Sequence, residues 1–225
     1  MFAEGKRGMF AEGKRGMFAE GKRGMLMYGE NIDDYNNDGM TKLHMAAAAG
    51  DLEAVKHLIA AGADVNTPDD VNAWLPIHFA TEQESLECVR ELLKQGSFLN
   101  AKSYDDKSSP LHIACETRNI DIARVLLEAG ADPNAQRSGT SSFEESDDET
   151  TEATDAWAGA TCLHIVATTT LLDGFPGTLP ETTAASIEIV KLLLAHGADP
   201  EIKDAFGETP REDCKNLDIY NLLTS

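Results

Sequence analysis

Residues 41–66 read TKLHMAAAAGDLEAVKHLIAAGADVN, and the chain returns to degenerate copies of this string at a spacing of 34 residues. His44, His78 and His112 mark the period, in the frames Thr41-Lys42-Leu43-His44, Leu75-Pro76-Ile77-His78 and Ser109-Pro110-Leu111-His112. A fourth frame, Thr161-Cys162-Leu163-His164, follows after 52 residues, and a partial fifth begins at Gly207-Glu208-Thr209-Pro210. Self-similarity at such a period marks a stack of small supersecondary units.

Within each unit the local signals agree. A Thr or Ser before Pro is an N-cap followed by N1, where a missing N–H costs nothing. The short helix expected next carries small residues on its packing side: Ala46 and Ala47, Ala80, Ala114 and Cys115, Ala167. A second helix has apolar residues at helical spacing, as in Leu52, Val55, Leu58 and Ile59, or Leu86, Val89, Leu92 and Leu93. It stops at Gly62, Gly96, Gly130 or Gly197, suited to a left-handed C-cap. Polar turns such as Ala63-Asp64-Val65-Asn66 lead to the next unit. One such pair cannot cover its own apolar face, whereas stacked neighbours share a continuous core.

Units such as DGMTKLHMAAAAGDLEAVKHLIAAGADVN and SSPLHIACETRNIDIARVLLEAGADPN resemble ankyrin repeats, over roughly residues 36–225. The resemblance implies an all-α ankyrin-repeat solenoid of stacked helix-turn-helix units, with β-hairpin fingers along one edge. It also implies about four full repeats plus a C-terminal capping repeat. Binding in this family normally uses the finger tips and the inner, first-helix face. Some positions depart from the family pattern. Lys42 and Cys162 replace its proline, and Glu84 and Arg118 replace its mid-repeat glycine. Arg211 and Glu212 replace Leu-His in the last unit, which reads as a cap whose outer face meets water. Leu217, Tyr220, Leu222 and Leu223 are expected to pack inward there.

Measuring against the period locates the irregular segments. Residues 1–24 are three perfect copies of MFAEGKRG, read as a flexible tail because each copy holds two glycines. Residues 25–35 form a lead-in. An acidic insertion, SGTSSFEESDDETTEATDA at 138–156, has seven acids and no base, and is expected to be a disordered loop extending a finger. The second insertion lengthens the path from the motif His to the second helix from 8 residues (His44 to Leu52) to 23 (His164 to Ile187). It is expected as a loop over 169–185, with Pro180 placed to open an extended second helix.

Composition excludes several classes. The net charge is −20, and because residues 1–24 contribute +3 the remainder carries −23. So acidic a body repels phosphate backbones and favours a basic partner, so nucleic acid is not expected as a ligand. No apolar run approaches the roughly 20 residues of a membrane span, so membrane insertion is not expected. Nor does the N-terminus resemble a secretory signal. Cys88, Cys115, Cys162 and Cys214 form no C-x-x-C pair and fit a reducing compartment. The expected address is cytoplasmic, with the nucleus as the alternative, and the expected state is a monomer.

Chemistry-bearing residues are weighed against packing. Four histidines, one per repeat and about 10 Å apart by helix-packing distances, are too far apart to share a metal ion. They read as hydrogen-bonding groups shared between repeats. Cys88, Cys115 and Cys214 fall at core positions, while Cys162 stands at a helix start, where a thiol is most easily activated. Walker, G-x-S-x-G, H-E-x-x-H and kinase motifs are absent, so no enzyme activity, cofactor or metal is expected. Ser146, in Ser146-Asp147-Asp148-Glu149, is a candidate for an acidophilic kinase of the casein kinase 2 type. Trp74, Trp157 and Phe206 occupy variable finger columns expected to face outward, and Trp is enriched at hot spots.

The expected function is therefore a protein-interaction module: an adaptor, inhibitor or targeting subunit. Its candidate contacts are Trp74, Asp105, Asp106, Trp157 and Phe206 on fingers, with Glu82, Gln83, Glu116 and Thr117 on the first-helix face. The alternatives are a ubiquitin-ligase substrate receptor and a fragment of a larger ankyrin-containing enzyme or channel. The short C-terminal stretch speaks against the first, and the Met start and capped end against the second.

Overall fold

Each full motif frame starts a helix, and each glycine stop follows one. The computed structural model describes residues 31–104, 106–138, 157–168, 180–214 and 216–224. Within them run α1 (Lys42–Ala48), α2 (Leu52–Ala60), α3 (Pro76–Glu82), α4 (Leu86–Lys94), α5 (Pro110–Glu116) and α6 (Ile120–Glu128). They are followed by α7 (Cys162–Thr168), α8 (Pro180–Ala195) and α9 (Leu217–Leu223). First helices α1, α3, α5 and α7 pack side by side, second helices α2, α4, α6 and α8 form the other layer, and α9 packs on α8. This is the stacked solenoid. None of these helices is long and apolar enough to cross a membrane.

The core is periodic because the sequence is. Leu43, Ile77, Leu111 and Leu163 take the same place in successive first helices and are fully buried. Leu92, Leu126 and Leu193 do the same in second helices. Each such side chain contributes about 1.5–3 kcal/mol on burial.

The histidines bind the repeats to one another. His44 Nδ1 accepts the Thr41 N–H (3.0 Å) and lies 2.8 Å from the Thr41 hydroxyl, while its Nε2 meets the Trp74 carbonyl of the next repeat at 3.0 Å. His78 repeats this with the Leu75 N–H (3.0 Å) and the Ala101 carbonyl (3.1 Å). His112 uses the Ser109 N–H (3.1 Å) and the Ala135 carbonyl (2.9 Å), and His164 the Thr161 N–H (3.1 Å) and the Glu208 carbonyl (3.1 Å). A backbone donor on Nδ1 leaves the proton on Nε2, where the next repeat's carbonyl accepts it. In the last unit the Thr209 N–H donates instead to Glu212 Oε2 at 2.8 Å. A carboxylate can accept there as the imidazole does, but has no ring N–H to hand on to a carbonyl.

Two fingers close with a single backbone bond each, Asp69 N–H to the Trp74 carbonyl (2.8 Å) and Ser103 N–H to the Ser108 carbonyl (3.0 Å), whereas Arg137 pairs with Ala160 (3.0 Å) and Gly159 (2.9 Å). Neighbouring fingers join through Asp70 to Gly39 (3.1 Å), Tyr104 to Asn72 (2.7 Å) and Ala205 to Ala158 (2.9 Å). Gly159 lets the last pair approach, since a Cβ there would stand 2.5 Å from Ala205 N. No strand forms among the described residues, so the fingers are bonded turns and not β-ladders.

Other expectations change in detail. Residues 180–185 are helical, so α8 runs 16 residues against 9 in α2, α4 and α6, and the expected loop loses its C-terminal part. The first helix of the last unit is only a turn over 210–213. In α9, Ile219 and Leu223 pack inward, whereas Leu217 (71% exposed) and Tyr220 (42%) face solvent, contrary to their expected inward packing. The 3.6-residue geometry explains this: positions 219 and 223 share one face, and 217 and 220 point elsewhere. The octapeptide tail and residues 139–156, including Ser146, lie outside the described residues.

Candidate functional site

The first helices show solvent only a narrow face. On α3, Phe79 is half-buried and Glu82 exposed, one turn apart, while the residues between them are buried. On α5 the same turn holds Ile113, which is covered, and Glu116, which is exposed. On α1 it holds Met45 and Ala48, both half-buried. Gln83 is exposed at the C-cap of α3. Thr117, at the C-cap of α5, turns its hydroxyl back onto the Ile113 carbonyl at 3.1 Å.

Beside Phe79 lies Trp74. Its ring stacks on His78 (centroids 5.7 Å) and meets Phe79 edge-on (5.2 Å), and Phe79 in turn meets His44 edge-on (5.4 Å). The indole Nε1 is buried and finds no acceptor among the described residues. Trp74 therefore sits at the base of its finger and is half-buried, contrary to the outward placement expected from its column. Trp157 likewise is half-buried against the core. Outward-facing rings belong instead to Tyr104 (70% exposed) and Phe206 (50%), and Tyr104 was missed because its column carries no aromatic in the other repeats.

Two repeats further on, the same junction is ionic. Arg137, only 6% exposed, reaches both Asp106 in the preceding finger and Glu116 at the end of α5. Asp106 also accepts from the Ser103 hydroxyl (2.6 Å) and the Ser108 hydroxyl (2.9 Å). Burial alone would raise the Asp106 carboxyl, but Ser103, Arg137 and Ser108 outweigh it and hold it well below the usual carboxylate range. For Arg137, burial opposes its charge, and Glu116 and Asp106 overcome that and raise its pKa. Arg137 was not singled out in the sequence, since only the fold brings its partners together. Asp106 is thus engaged within the protein and not held free at a tip, and Asp105 lies outside the described residues.

Burial pushes His78 and His112 down to about 4 and also lowers His44 and His164, so the rings are neutral near pH 7. Neutral, spaced and bonded to backbone, they have no ring nitrogen left for other work. No group of His, Cys, Asp and Glu able to hold a metal occurs among the described residues. Cys88, Cys115 and Cys162 are buried free thiols and Cys214 is half-buried. Burial removes the access that a reactive Cys162 would need.

Comparison with known proteins agrees with this geometry. The family pattern "Ankyrin repeats (3 copies)" matches residues 43–137, and "Ankyrin repeat" matches 158–205. Among solved structures, the chain is similar to the ankyrin repeat domain of Bcl-3, described as a unique member of the IkappaB protein family. The two are 21% identical with a TM-score of 0.68, over 88% of this chain and 73% of that one. No curated protein matches the chain. With histidines bonding repeat to repeat and family patterns spanning more than half its length, the chain belongs to the ankyrin-repeat family.

Proposed function

We propose that this chain binds a partner protein by surface complementarity, without chemistry of its own, through its finger tips and first-helix face. Ankyrin repeats bind other proteins, and an adaptor, inhibitor or targeting subunit would each use such a surface. One observation carries the reading: Tyr104 and Phe206 turn their rings to solvent along this edge without packing on the core, and half-buried Phe79 shows part of its ring beside them. Large exposed rings of this kind suit recognition. The partner is basic, in keeping with the net charge of −20. The chain acts as a monomer in the cytoplasm, an address that the free thiols favour, and an acidophilic kinase at Ser146 would deepen the negative charge.

Affinity capture from native lysate tests this with two variants. Tyr104→Ala with Phe206→Ala should lose the specific partners that Arg90→Ala, on second helix α4, retains. Equal capture by both variants would remove the finger tips from the site.

A further inference from the structure

The first-helix face is not uniform, and its differences point to the partner's chemistry. Its N-terminal half is apolar. Trp74 and Phe79 form an aromatic ledge, and Met40 and Met45 occupy the same two positions one repeat earlier, all half-buried. Methionine and aromatic surface together adapt to varied apolar side chains. Next to the ledge the face turns acidic. Glu82 lies one turn from Phe79, and Glu116 holds the matching position on the adjacent first helix. Across α1, α3, α5 and α7 these are the only acids, and the only Lys or Arg is Lys42, at the start of α1. Arg137 reaches Glu116 through Oε1 alone, and 41% of that side chain remains exposed.

We infer that this face seats an extended basic segment of the partner, with one large apolar residue on the Trp74–Phe79 ledge and one Lys or Arg, three residues away, at Glu82 and Glu116. The spacing follows from geometry. Adjacent packed helices lie about 8–10 Å apart, and a segment extended in the polyproline II conformation advances about 3.1 Å per residue with three residues per turn, so residues three apart share one side. Three residues therefore carry the segment from the ledge on α3 to the carboxylate on α5. Apolar contact supplies affinity, and the carboxylates select cations and speed encounter. The inference rests on the first-helix face being the binding face.

A phage-displayed library of random twelve-residue peptides, selected on the full chain, tests it. The expected result is enrichment of a large apolar residue three positions from Lys or Arg. A synthetic consensus peptide should then lose about tenfold in affinity with Phe79→Ala and a similar factor with Glu82→Lys. It should keep its affinity with Arg90→Ala. Circular dichroism of each variant separates lost folding from lost binding, and the exposed Glu82 gives a second reading where Phe79→Ala unsettles the fold. Peptides that lose affinity in these variants but lack the apolar–basic spacing would overturn this inference and leave the face as the binding site. Peptides indifferent to both variants would overturn both readings. Failure to enrich any peptide would overturn the inference.

Discussion

The junction between the first two repeats and the junction between the third and fourth solve the same problem with opposite chemistry. In each, a finger residue meets the first-helix face beside a buried motif histidine. In one, Trp74 stacks on His78 and Phe79. In the other, a guanidinium is buried between two carboxylates. The histidine spine is constant and the finger residue varies, so a variable column marks freedom of solution and not freedom from structural duty. The two solutions should fail differently. A stacked ring loses contact area in proportion to what is cut away, whereas a buried charge deprived of a partner is left without compensation.

The largest effect should come from the spine shared by both junctions. His78 and His112 titrate at about 4 when folded, against 6.5 as the ordinary value. Between these limits the unfolded chain binds more protons, so stability is full above about 6.5 and falls as pH drops toward 4. Each ring contributes about 3 kcal/mol to this loss, by order of magnitude. Urea midpoints at pH 7 and pH 5 check it, and equal midpoints would contradict a buried neutral spine. The junctions should also differ. Arg137 is a secondary cause of the depression at His112, after burial, and is not one at His78. Arg137→Met should therefore raise the His112 pKa, followed by NMR, and leave His78 in place.

Next in size is the ionic junction itself. Asp106→Ala leaves Arg137 with one half-exposed partner and should cost about 3 kcal/mol at pH 7. Glu116→Ala should cost about 1 kcal/mol, because water reaches that carboxylate and can replace part of the bond. Equal losses in denaturant titration would mean that Arg137 leans on both acids alike.

At the aromatic junction, Trp74→Ala should cost about 2 kcal/mol, below the 3–5 of a fully buried Trp because the ring is half-exposed. Tyr104→Ala and Phe206→Ala should each stay within about 0.5 kcal/mol. A neutral Trp74→Ala would return that residue to the finger tip.

These contrasts show what the sequence could and could not convey. Starts at Thr, Ser or Pro, glycine stops and a 34-residue phase are local signals, and the helices and their stacking followed from them. Glu212 in the histidine position was legible as a departure from the motif, because its bonds run only to Thr209, three residues before it. The ion triad was illegible because its members, Asp106, Glu116 and Arg137, come from two fingers and one helix. Tyr104 escaped notice for the opposite reason, having no counterpart in the other repeats to compare with. Trp74 and Trp157 misled because column variability reports neither stacking nor depth.

The smallest effect concerns backbone strain and separates the two halves once more. The residue five places before each motif histidine, or before Glu212 in the last unit, is held at positive φ: Gly39 (72°), Ala73 (55°), Lys107 (56°), Gly159 (74°) and Gly207 (84°). In the second and third repeats this left-handed site is therefore filled by residues with a Cβ, which costs about 1–2 kcal/mol relative to glycine. Glycine gives back about 0.5–1 kcal/mol through its freedom in the unfolded chain. Ala73→Gly should accordingly stabilise the protein by about 0.5 kcal/mol. Lys107→Gly should gain less, since the Lys107 ammonium lies over the Tyr104 ring at 5.4 Å and that contact would go. The pair separates strain from side-chain contact: Ala73 has almost no side chain to lose, so its gain isolates the backbone term. Thermal melts at pH 7 read both. A loss of stability in Ala73→Gly would show that the finger turn tolerates its alanine without strain, and that unfolded-state entropy governs the column.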